Sequence, residues 1–184
     1  MSRWINLVFY QATWISAVAG AGHGLWWPGL LVLAAFVAWQ LSVSAWPRTD
    51  VLLMLVLSVL GFALDSVFAR FDLMHFARAV PWPGLAPVWM VALWTSFALS
   101  LNHSLAFLQH RRLLGAVLGG AGSPFAYWAA AHGWHALTLG DRPLLTLGLV
   151  GVAWIVLMPL FAHLALRWRR FDAAPAPVPL RGGV

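Results

Sequence analysis

Residues 51–69 read VLLMLVLSVLGFALDSVFA, and this stretch decides the fold. A helix crossing a bilayer needs about 20 mostly apolar residues. The run meets that length with Asp65 as its single ionisable group. It shows no alternation of the kind a barrel strand needs. A backbone in lipid must satisfy its own hydrogen bonds, so a helix is the remaining option. Working outward, five further apolar stretches lie at roughly 4–22, 26–46, 87–109, 113–131 and 144–166. The expectation is an all-α, polytopic transmembrane helical bundle of six spans over residues 1–170. Residues 171–184, with Pro175, Pro177 and Pro179, are expected to form a disordered cytoplasmic tail.

Composition supports the same class. The chain has 184 residues, 62% hydrophobic and 9% charged. A soluble domain carries about 25% charged residues, and a disordered chain lacks this much apolar surface. Cysteine is absent, which removes disulfides and thiolate metal sites. The eleven cations are all arginine. With the N-terminus inside, Arg3, Arg48, Arg111, Arg112, Arg167, Arg169, Arg170 and Arg181 are cytoplasmic, and Arg70, Arg78 and Arg142 lie outside. That asymmetry places both termini in the cytoplasm. The net charge of +6 is therefore a topology signal rather than a nucleic-acid footprint. Arg3 and Ala17-Val18-Ala19 have a signal-peptide look, but Asn6, Gln11 and Trp14 interrupt the apolar region. The first span is expected to stay.

Three helical hairpins follow from this topology. Trp27-Pro28-Gly29-Leu30 recurs as Trp82-Pro83-Gly84-Leu85, and Pro28, Pro87 and Pro143 each precede or open a helix running inward. Thr49 and Asp50 read as a cap for the third span. Gly115, Gly119 and Ser123 form a small-residue face that admits a close neighbour, and Pro124 is expected to kink the fifth span. Residues 70–86 mix Phe71, Met74, Phe76 and Trp82 with Arg70, Asp72, His75 and Arg78, as an interfacial segment would. Of thirteen tryptophans, Trp14, Trp39, Trp94, Trp128 and Trp154 lie deepest, either as packing or as an aromatic wall around an apolar ligand.

Polar residues inside spans are costly and mark candidate sites. Asp65 alone among the acids falls inside a predicted span, on one face with Ser58 and Gly61. Arg70, Arg78 and Arg142 are its same-side counter-ion candidates. The fourth span carries Asn102-His103-Ser104, and Trp89, Ser96, Ser100, His103 and His110 share a stripe at helical spacing. Counting from the cytoplasmic ends, Asp65 lies about 21 Å up and His103 about 9 Å up. Thr95, Ser96 and Tyr127 fall near the first level, and Gln11 near the second. Two polar levels joined by a cavity are expected, which disfavours a Ser–His–Asp hydrolase because a base must reach its partners. Asp65, Asn102 and His103 are the main candidates, with Trp94, Ser96 and Tyr127 as secondary pocket residues. His132-x-x-His135, with His23 or His75, has the residue types of a metal site but reads as interfacial polarity. No metal and no cofactor are expected.

The segment Ala86-Pro87-Val88-Trp89-Met90-Val91-Ala92-Leu93-Trp94, with Phe97-Ala98 and Leu101-Asn102-His103-Ser104-Leu105, resembles domain-of-unknown-function family 2878. The resemblance extends to Asn6, Trp14, the Asp65 region and the stretch from Gly119 to Tyr127. It implies a multi-pass bacterial inner-membrane protein without an established activity, in a lipid-linked setting.

Three functions remain open. The first is binding, modifying or helping to modify a lipid or other apolar molecule. The second is a small permease or substrate-binding membrane component, with Ala17-x-x-x-Ala21 as a face for a partner. The third is a non-catalytic membrane assembly factor. Expected partners are membrane lipids, with an apolar small molecule or another membrane protein as further candidates, and no nucleic acid.

Overall fold

A computed structural model describes residues 2–172. Six helices account for most of them: α1 (Ser2–Gly22), α2 (Pro28–Val43), α3 (Pro47–Arg70), α4 (Val88–Ser100), α5 (Arg112–Trp134) and α6 (Pro143–Trp168). Pro28, Pro47 and Pro143 each occupy the first turn of a helix, where a missing N–H costs no hydrogen bond. α5 stops at His135, whose backbone is left-handed (φ 54°), and the N–H of Ala136 returns to the Ala130 carbonyl at 3.0 Å.

The helices pair as three hairpins, α1 with α2, α3 with α4 and α5 with α6, and α4 also touches α1 and α2. At one end Asn6 of α1 meets Gln40 of α2, and Thr49 of α3 meets Trp168 of α6. We call this the proximal end. At the distal end the strands β1 (Met74–Phe76) and β2 (Leu137–Leu139) form an antiparallel ribbon, with His75 opposite Thr138. The ribbon is tied inward. Trp89, fully buried, donates its Nε1–H to the Ala77 carbonyl at 2.9 Å, and Met74 is buried. The segment 70–86 thus joins the bundle, while Phe71 and Trp82 stay exposed.

Two elements, α3 and the continuous stretch Pro143–Phe171, are long and apolar enough to cross a membrane, each with a mean hydropathy of 2.4. α2 and α4 are apolar but shorter, at 16 and 13 residues. The fourth predicted span is therefore corrected. α4 ends at Ser100, and residues 101–109 run on in turns with a short 3-10 segment, Ala106–Leu108. Side-chain amides take up the carbonyls this releases. Asn6 Nδ2 donates to Leu99 O at 3.1 Å, and Gln109 Nε2 donates to Leu101 O at 2.8 Å. Buried backbone groups need such partners, and irregular backbone is tolerated at depth only inside protein. The stripe through His103 and His110 dissolves with the helix.

The small-residue face of α5 packs on α6, where a Cβ at Gly119 would press on Met158 and the Trp154 carbonyl. Ala17 and Ala21 are buried, with Ala17 against Gly29 of α2. The first helix therefore spends that face inside the bundle, which removes it as a surface for a partner. Phe171 and Asp172 also belong to the folded body. The rest of the predicted tail lies outside the described residues.

Candidate functional site

The structure keeps the two polar levels apart and builds a cavity beside each. At the distal level Asp65 is fully buried on α3. Trp94 Nε1–H donates to its Oδ2 at 2.7 Å, and the Tyr127 hydroxyl donates to its Oδ1 at 2.6 Å. Each carboxylate oxygen is thus taken by a side chain from a different helix, α4 and α5. The arginine counter-ions expected from sequence are not used. Among the described residues the one ion-pair geometry is His103 with Asp50, and Arg78 instead donates to the Gly24 carbonyl. Gly61, one turn below Asp65, faces Trp94 so closely that a Cβ there would overlap the indole ring. Ser58 meets Thr95 at 2.7 Å, so the predicted Ser58–Gly61–Asp65 face is the α3 surface turned to α4.

Trp94 and Tyr127 carry this geometry into a cavity of about 290 Å³ between α1, α4, α5 and α6. Tyr10, Phe97, Trp154 and Met158 complete its wall. Trp94 stacks on Trp154 with ring centroids 5.0 Å apart and planes at 16°, and Phe97 meets Trp154 edge-on at 5.0 Å. The buried Trp154 Nε1 makes no hydrogen bond among the described residues. The cavity reaches the bundle surface at Gly122 and Leu118, both exposed. Asp65 stands behind this wall, fixing two of its rings. Ser96 is buried but bonds to Leu93 O of its own helix at 2.9 Å, so it joins neither cluster.

At the proximal level the centre is Asp50, which the sequence reading leaves as a cap outside the spans. α3 starts at Pro47, so Asp50 falls within its first turn, fully buried. Capping falls to Asp172, which accepts from the backbone N–H groups of Arg48 and Thr49, each at 2.9 Å. The Asp50 carboxylate turns inward. Its Oδ1 accepts from Asn102 Nδ2 at 2.9 Å, and its Oδ2 accepts from Ser44 Oγ at 2.6 Å and faces His103 Nε2 at 2.8 Å. Gln40 Nε2 lies 3.1 Å from the same imidazole nitrogen, and Asn6 Nδ2 donates to Gln40 Oε1 at 2.6 Å. Arg169 Nε and Gln109 Nε2 both donate to Asn102 Oδ1, at 3.2 and 3.1 Å. Asn102 and His103 both enter this network. Asp50, Gln40 and Arg169 are the members the sequence reading misses, and the predicted Gln11 is exposed elsewhere on α1. Proline at 47 is the signal that could have found Asp50, because it starts the helix early enough to carry the acid inward.

This network borders a polar cavity of about 430 Å³, with Arg3, His103, His110 and Arg169 on its wall. The Arg169 guanidinium lies 4.0 Å from the centre of the Trp46 ring. Outside the two clusters, His132 is exposed with Nδ1 against the Trp128 carbonyl, and no group of metal-ligating side chains forms among the described residues.

Residues 3–160 match the family described as a protein of unknown function, DUF2878. No curated protein and no solved structure matches the chain. The match spans five of the helices and most of the sixth, with both polar clusters except Arg169, and the chain belongs to the DUF2878 family.

Proposed function

We propose that this chain is a multi-pass protein of the bacterial inner membrane that binds a lipid or other apolar molecule in its aromatic cavity. The carrying observation is the cavity itself, walled by rings that a buried carboxylate locks in place. Ligand sites for apolar molecules are concave and mostly apolar, with few placed polar groups. The unpartnered Trp154 N–H is one such group, suited to a single oxygen acceptor on the ligand.

The membrane setting rests on the outer surface. Leu55, Val59, Phe125, Val152 and Val156 are exposed along the middle of α3, α5 and α6. Soluble monomers rarely show contiguous apolar surface on this scale. Helices α1, α3, α5 and α6 have the length of a crossing, and the shorter α2 and α4 sit against them. The arginine asymmetry puts the proximal end in the cytoplasm. The aromatic cavity then lies at membrane depth and opens sideways toward lipid at Gly122.

Whole-cell lipid mass spectrometry on a deletion strain tests this reading. A lipid species changes on deletion, and wild type restores it. Gly122→Leu, which fills the cavity mouth where a Cβ meets nothing within 4 Å, does not restore it at matched protein levels. Identical profiles in all strains under conditions of expression would overturn the proposal.

A further inference from the structure

We infer that the polar cavity holds the phosphate-bearing head group of an amphiphile whose apolar part fills the aromatic cavity. The inference rests on the lipid reading above and names its ligand class.

The two cavities meet at one segment. Leu105 and Leu108 face the aromatic cavity, Ala106 and Gln109 face the polar one, and Phe107 lines both. The break in α4 therefore creates the partition, and a 3-10 turn distributes successive side chains to its two sides. A single molecule lying across Phe107 would reach both.

The polar wall has the charge for an anion. It carries Arg3, Arg169, His103 and His110, and among the described residues no carboxylate lines it. Asp50 is close, but both of its oxygens already accept hydrogen bonds from within the protein. Arg169 is oriented in advance. Its Nε is bound to Asn102 and its plane is held near Trp46, while its two Nη groups make no hydrogen bond to a side-chain acceptor among the described residues. An oriented guanidinium fork matches the paired oxygens of a phosphate, and a second arginine doubles the charge. The neighbouring His110, exposed on the same wall, adds a donor. A free phosphate ion offers the same chemistry as a lipid phosphate, so the test separates them.

The experiment uses delipidated full-length protein in detergent. Native mass spectrometry follows binding of phosphatidic acid and of diacylglycerol with the same acyl chains. Inorganic phosphate is tested as a competitor. Phosphatidic acid is expected to bind about tenfold tighter than diacylglycerol. Arg169→Gln should bring that ratio toward one while diacylglycerol still binds. Arg3→Gln, at an exposed position where folding is not at stake, should lower the ratio in the same direction. Gly122→Leu should weaken both lipids. Equal binding of the two lipids to wild type, or a ratio unmoved by both arginine changes, overturns the head-group assignment and leaves the aromatic-cavity reading standing. Inorganic phosphate competing at the same concentration as phosphatidic acid overturns the amphiphile in favour of a soluble anion. If neither lipid binds, the aromatic-cavity reading fails and this inference falls with it.

Discussion

Asp50 and Asp65 stand on one helix, about 22 Å apart along its axis, and each anchors a different cavity. Asp65 draws its partners from α4 and α5 and shapes an apolar chamber. Asp50 draws its partners from the broken end of α4 and from the turn before α3, and shapes a polar one.

Replacing Asp65 by alanine leaves the Trp94 N–H and Tyr127 hydroxyl without an acceptor. Each unsatisfied buried group costs about 1–3 kcal/mol. Equilibrium unfolding in detergent should show Asp65→Ala destabilised by a few kcal/mol and Asp65→Asn by less, since the amide keeps one acceptor oxygen. Arg70→Gln, Arg78→Gln and Arg142→Gln should leave the response to Asp65→Asn unchanged. A coupling between any of these arginines and Asp65 in a double-mutant cycle would contradict the assigned partners.

Gly61→Ala tests the close approach of α3 and α4. The new methyl overlaps the Trp94 ring and pushes it from Asp65. Overpacking of this kind costs about 1–3 kcal/mol. The loss should come with altered near-ultraviolet circular dichroism, because Trp94 stacks on Trp154. Wild-type stability and an unchanged spectrum would mean that the two helices are not in contact there.

Asp50→Ala removes the acceptor for Asn102, Ser44 and His103 together. The expected loss exceeds the about 1 kcal/mol of a single cap, because the buried Asn102 amide and the half-buried Ser44 hydroxyl both lose their acceptor. Asp172→Ala, which removes the α3 cap and one acceptor of the Thr49 hydroxyl, should cost about 0.5–2 kcal/mol. Thermal unfolding of the two variants side by side measures the order, and a larger loss for Asp172→Ala would contradict the central place given to Asp50.

Asp172 also sets a pH dependence. Partial burial pushes its carboxyl up, but hydrogen bonds from Thr49 and Arg48, with the Arg48 charge, outweigh this and leave it below the usual carboxylate range. A carboxyl lowered in the folded state contributes stability above its unfolded pKa and loses it as pH falls through the folded value. Wild type should therefore lose the stability that Asp172 contributes as the pH falls, and Asp172→Asn should remove that part of the acid response. An acid response identical in the two proteins would contradict it.

Much of this fold is legible in the sequence because lipid-compatible helices announce themselves by composition. The run at 51–69 lies within α3, which begins four residues earlier at Pro47, and Ser58, Gly61 and Asp65 fall on the predicted common face. The fourth helix is different. Its apolar pattern continues past Ser100, but the amide of Asn6, 93 residues away, competes for the Leu99 carbonyl where the helix ends. No local pattern carries that competition. Asp50 is missed for a related reason. Beside Arg48 and Thr49 it reads as a solvated cap, and only the arrival of Asn102 and His103 from 52 and 53 residues away makes it a buried centre.

Identifying what occupies the aromatic cavity tests the account most directly. Wild type and Gly122→Leu are purified in parallel from the same membranes in a mild detergent, and bound small molecules are extracted and compared by mass spectrometry. The account predicts a stoichiometric apolar molecule with wild type, strongly depleted in Gly122→Leu at equal folded protein. The same molecules in the same amounts from both proteins, or none from wild type, would contradict it.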